Sequence, residues 1–109
     1  MLQRDYLMRM IEQFVQTIGR MLGFAKSGRF EDARTELDGA YASLGVSRRM
    51  VERLDDASLK LLLGDDKLRI LVMLLEAEAE LLALESKHAE ARSATERAAQ
   101  LKVDVGPTP

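Results

Sequence analysis

The chain has no cysteine, which excludes disulfides, thiolate metal sites and thiol chemistry together. Tryptophan is absent, and aromatic residues make up only 5 % of the 109 residues. A core must therefore rest on Leu, Ile, Val, Met and Ala, a set that suits helix packing. Proline is confined to Pro107 and Pro109, so nothing earlier interrupts a helix. Neither sign of charge dominates: the net charge is −2, with acids and bases interspersed. That leaves no field to steer nucleic acid or an anionic membrane. The most apolar run, Ile70 to Leu75, falls far short of the ~20 residues that cross a bilayer. Arg4, Asp5 and Arg9 break any leader pattern at the N-terminus. The missing cysteine is compatible with a reducing compartment, and a cytoplasmic protein is the expectation.

What is present is 47 % hydrophobic and 31 % charged, the balance of a folded protein with one modest core. Residues 1–102 read as a single helical domain, and 103–109, with both prolines and Gly106, as a flexible tail. Leu7, Ile11, Phe14, Ile18, Met21 and Ala25 alternate at intervals of four and three, which predicts a first helix over 3–26. Gly28 stops it, and a second helix follows over 30–44, closed by Gly45. Ser47 caps a short third helix, and Asp55 with Asp56 caps a fourth that ends at Gly64, with Leu59, Leu61, Leu62 and Leu63 largely buried. Asp65 and Asp66 open a fifth, central helix. Past Glu76 it turns amphipathic, setting Ala77, Leu81, Leu82 and Leu84 against Glu76, Glu78, Glu80 and Glu85. A thin, alanine-rich sixth helix covers about 87–101. The fold class is all-α, five to six helices arranged as antiparallel hairpins.

The hairpins are legible as an echo. Gly28-Arg29-Phe30-Glu31-Asp32-Ala33-Arg34 returns later in the chain as Ser86-Lys87-His88-Ala89-Glu90-Ala91-Arg92. In each, a small residue closes one helix and a ring opens the next. Small residues follow at helical intervals, Ala33 and Ala40 in the first, Ala91 and Ala98 in the second. They let two helices approach closely while the ring fills the gap.

This pattern resembles the tetratricopeptide repeat, a 34-residue helix–turn–helix unit. Gly28, Phe30, Ala33 and Ala40 match one unit, and Ser86, His88, Ala91 and Ala98 match another. Met21 stands where the first unit should have a small residue, and Ser86 replaces the turn glycine in the second. The separation of Gly28 from Ser86 exceeds one repeat. The surplus is close to the combined length of the two short helices, which form a degenerate middle hairpin. The opening, Gln3 to Phe14, also resembles that of a family of short bacterial proteins, a domain of unknown function with a tetratricopeptide-like helical body. That resemblance implies an all-helical bacterial protein and brings no catalytic residue with it.

Candidate chemistry is sparse. His88 is the single histidine, and Glu85 three residues before it gives the pair used by di-iron bundles. Such a site needs the pair twice plus two more carboxylates. His88 reads instead as the second hairpin's ring residue, and the Glu76–Glu85 run as a solvated helix face. No phosphate loop, dinucleotide fingerprint or nucleophile elbow occurs. No enzyme, metal or cofactor is expected. Arg48, Arg49 and Arg53 with Lys26, Arg29 and Arg34 lack the interleaved aromatics of a nucleic-acid surface.

The functional expectation is therefore an interaction or scaffold protein acting through helical surfaces, with a self-assembling homodimer as the alternative and a metal-binding bundle as a remote third. Leu2, Tyr6, Met8, Met10 and Phe14, with Met1, are the candidate interface. They exceed what one flanking hairpin would cover, and methionine surfaces adapt to partners. In the tetratricopeptide frame, Ile18, Leu22, Met73 and Ala77 fall at the positions where carboxylate-clamp domains carry polar side chains. All four are apolar, so an acidic peptide terminus is not the expected ligand.

Overall fold

The computed structural model describes residues 2–105, with side chains described from Arg4 onward. It is all-α, with five helices and no strand among the described residues. They are α1 (Leu2–Lys26), α2 (Phe30–Leu44), α3 (Arg48–Arg53), α4 (Asp56–Leu84) and α5 (His88–Asp104). The expected fourth and fifth helices run on as α4, broken at Gly64 (φ 78°, ψ 168°). That backbone conformation is open to glycine and strained for other residues. We call 56–63 and 65–84 its first and second arms.

The two echoed turns share one backbone design. Arg29 N–H donates to the Phe24 carbonyl at 2.8 Å and Gly28 N–H to Ala25 at 3.0 Å. Lys87 N–H donates to Leu82 at 2.8 Å and Ser86 N–H to Ala83 at 3.0 Å. Both are the left-handed closure that satisfies the last carbonyls of a helix. Gly28 takes it at φ 78° and Ser86 at φ 64°, the one positive φ on a non-glycine among the described residues. Ser47 Oγ accepts the Met50 N–H and Asp55 Oδ1 the Ser58 N–H, as their helix-start positions require. The Ser58 backbone N–H holds the Asp55 carboxyl below its usual range.

α1 packs on α2, α4 packs on α5, and both α1 and α2 lie directly against α4. The expected middle hairpin therefore does not separate the two good ones. Tyr6, Leu7 and Met10 share a recess with 63–67, while Val15 and Ile18 share another with Met73 and Ala77. α1 and the second arm of α4 thus run in the same direction, with Val15 near the level of Met73. Leu68, Ile70, Leu71 and Leu74 are fully buried, because α4 is covered by three helices.

Three expectations need correction. Of the four leucines in the first arm, Leu59 is buried and Leu63 half-buried, but Leu61 is 89 % and Leu62 53 % exposed. An arm of two turns lying on the surface can turn only one face inward. On the second arm, Leu84 is exposed and Glu78 is buried, reversing their assignment. Residues 103–105 are not frayed: α5 runs to Asp104, whose carbonyl accepts the Lys60 Nζ at 3.1 Å, and Val105 is buried. Residues 106–109 of the expected tail lie outside the described residues.

Ala33 is completely buried, Ala91 half-buried and Ala89 exposed. Ala33→Leu is expected to overpack the α1–α2 crossing and cost about 1–3 kcal/mol. Urea denaturation should rank Ala33→Leu above Ala91→Leu, with Ala89→Leu near wild type.

Candidate functional site

The polar centre of the molecule forms where α2, α3 and α4 meet. Arg34 and Tyr41 lie seven apart on one face of α2, and Glu78 on α4 is followed seven residues on by Glu85, the residue that caps the end of that helix. Arg48 is the first residue of α3. Glu78 is only 6 % exposed. The Tyr41 hydroxyl donates to its Oε1 at 2.6 Å, and Arg48 Nη2 lies 2.7 Å from Oε2. Arg34 Nη2 donates to Glu85 Oε1 at 2.9 Å, while Arg34 Nη1 stands 3.7 Å from Glu78 and, though buried, makes no hydrogen bond.

A cleft of about 470 Å³ opens beside this cluster, with Val51, Leu75, Leu82 and Ala94 as its apolar lining. Arg97 of α5 closes one side. Its guanidinium donates to the Val51 and Leu54 carbonyls at 2.8 and 2.7 Å and to Asp56 at 2.9 Å. It thereby caps the last turn of α3 and joins it to α4 and α5.

Electrostatically the cluster is closed. A carboxylate taken out of water is costly unless its partners surround it, and Glu78 has two guanidinium groups and a phenol. Burial pushes the Tyr41 phenol far above its ordinary pKa, and the Glu78 charge adds to the rise. Tyr41 thus stays protonated and Glu78 stays bonded, which leaves neither free as a general base. Ser93 lines the cleft, but its hydroxyl bonds to the Ala89 carbonyl.

The chain matches no family model, no curated protein and no solved structure.

The sequence-derived site residues separate in the structure. Gly28, Ala33, Ala40 and Ala98 occupy turn or buried packing positions, and Phe30 packs half-buried against the core. His88 opens α5 as Phe30 opens α2, but it is exposed and fills no gap. The Glu85 carboxylate is held by Arg34, and no group of three potential metal ligands occurs among the described residues. The imagined basic patch is divided, because Arg34 and Arg48 point their charge at Glu78. Arg29 stacks over the Phe24 ring and pairs with Asp32. No helix is long and apolar enough to cross a membrane among the described residues.

On α1, Tyr6 is 64 % and Met8 53 % exposed, while Met10 is half-buried. Phe14, by contrast, is buried within the chain, on the Met21 and Ala25 stripe that faces the core. The Leu2 side chain and Met1 lie outside the described residues. Val15, 52 % exposed, is a surface residue that the sequence pattern does not single out. With Ile18 it faces Met73 and Ala77 across a shallow apolar groove, and Glu76 and Glu80 form its rim.

A raised phenol pKa contributes stability that is complete below the unfolded value near 10 and is lost as pH rises above it. The wild type is therefore expected to lose about 1.4 kcal/mol per pH unit above pH ~10 through this group. Tyr41→Phe should flatten that alkaline limb, while costing about 1.5–3 kcal/mol at neutral pH for the lost hydrogen bond to a charge. Denaturation between pH 7 and 11.5 measures both; an unchanged alkaline slope would remove Tyr41 from the account.

Proposed function

We propose that the chain is a small helical protein–protein interaction module, tetratricopeptide-like in its hairpins, that works by receiving a helix. The observation that carries this reading is the groove between α1 and the second arm of α4. Its floor of Val15, Ile18, Met73 and Ala77 is apolar, yet it is left open in a chain that buries most of its large aliphatic residues. The repeat reading is supported by the shared turn geometry at Gly28 and Ser86 and by the close crossing at Ala33. The cytoplasmic, bacterial setting rests on the family resemblance and the absence of cysteine.

The chemistry of the groove selects its occupant. An extended peptide would leave backbone groups unpaired against four apolar side chains, whereas a helix satisfies its own. Helix-in-groove docking uses anchors three and four residues apart on one face. Glu76 and Glu80 favour basic residues flanking those anchors and disfavour a terminal carboxylate. Catalysis forms no part of this reading, because Glu78 and Tyr41 beside the polar cleft are bonded to each other.

Two measurements test it. A benzophenone side chain in place of Val15, irradiated in bacterial cells, is expected to give a defined protein adduct, and one in place of exposed Arg53 is not. The absence of any adduct at Val15 would refute the groove. Anisotropy titration with an acidic C-terminal pentapeptide should show no binding at about 100 µM, well above the affinities typical of a dedicated site; saturable binding lost on terminal amidation would overturn the assigned ligand class.

A further inference from the structure

We propose that the occupant of the groove is α1 of a second copy of this chain, docked antiparallel about a two-fold axis; this rests on the groove reading above. α1 carries two apolar stripes. One, through Phe14, Met21 and Ala25, is buried in the chain's own core. The other, Met8, Ile11, Val15, Ile18 and Leu22, alternates at intervals of three and four. That is the spacing of a coiled-coil seam. Ile11, Ile18 and Leu22 of this stripe pack half-buried against the core, while Met8 and Val15 are more than half open to solvent.

Such a seam is self-complementary when two copies run in opposite directions. Met8 then packs on the partner's Ile18, and Ile11 on the partner's Val15, so four layers repeat symmetrically. The same register places Arg4 at the level of the partner's Leu22. Val15 is level with Met73, so Leu22, two turns further along α1, is level with Glu80 of α4. The exposed Arg4 of each copy therefore meets the acidic rim of the other's groove. Among its charged residues α1 carries Arg4, Arg9, Arg20 and Lys26 against Asp5 and Glu12, a basic excess that matches the rim. The pairing joins α1 and α4 of both copies as a four-helix layer.

Gly19 borders this stripe on the helix surface. It sits inside α1, exposed, and a Cβ added there meets nothing within 4 Å. Glycine weakens a helix interior relative to alanine, and nothing within one chain requires it there. A second helix approaching this side would.

The test uses the full chain. Sedimentation equilibrium at micromolar concentration is expected to show a species of twice 12.2 kDa; a monomer throughout overturns the proposal. Val15→Glu leaves the exposed side of α1 soluble and the fold intact by circular dichroism. It is expected to weaken the dimer at least ~100-fold by placing an unpaired carboxylate in the seam; dimerisation within twofold of wild type overturns the interface. Because the chain has no cysteine, the register is read directly. A mixture of Ile11→Cys and Val15→Cys chains should form the mixed disulfide on mild oxidation, whereas self-disulfides of each would mean parallel packing and overturn the antiparallel arrangement. The Val15 photo-adduct separates the two readings. An adduct with a different protein on a monomeric chain overturns only the second copy, and no adduct on a monomeric chain overturns both.

Discussion

A carboxylate removed from water at the junction of three helices sets the terms for the rest of this fold. Glu78 is tolerable in the interior only while Tyr41, Arg48 and Arg34 surround it. Each comes from a different place: two positions on α2, and the first residue of α3. A slip of α2 along α4 would withdraw the phenol and a guanidinium together, and an unfolding of α3 would withdraw the other. An apolar replacement of such a cluster is often as stable. What the cluster supplies is a single allowed register, which an aliphatic, aromatic-poor core specifies weakly on its own.

Arg97 extends that constraint to the far side of the cleft. The last carbonyls of so short a helix as α3 have few internal partners, and α3 is too short to be stable alone. Arg97 supplies donors to the Val51 and Leu54 carbonyls and is itself neutralised by Asp56. α3 is thus held at its start by Ser47 and at its end by a side chain from α5. The cleft between them is a consequence of bridging α2 and α5 with so short an element.

Turn chemistry was legible because it is local. Gly28, Gly45, Gly64, Ser47 and Asp55 all act where their residue types imply, and α2 has the bounds its stop signals define. The faces of the helices were less legible. Glu78 reads as solvated because it sits in a run with Glu76 and Glu80, and only the approach of Tyr41 from α2 reveals the burial. Leu61 and Leu62 read as buried because leucine-rich segments usually are, but a two-turn arm has too little contact to cover them. Phe14 and Val15 are neighbours with opposite fates, and that difference depends on where α2 and α4 lie around α1. A single sequence gives the helix its apolar arc; its neighbours decide which part of the arc is covered.

That last point explains why α1 carries the open surface. α4 has α1, α2 and α5 around it and can be apolar on nearly every side of its second arm. α1 has only α2 and α4, so an arc wide enough for three neighbours leaves one stripe uncovered. An outermost helix is stable in water only if its outer face is polar or another element packs on it. The exposed Arg9, Glu12, Gln16 and Arg20 meet that requirement on one side of α1. Between them and the core, Met8 and Val15 do not, and Gly19 leaves the backbone beside them bare. Among the described residues no further helix packs on this stripe, so the open apolar stripe falls on α1.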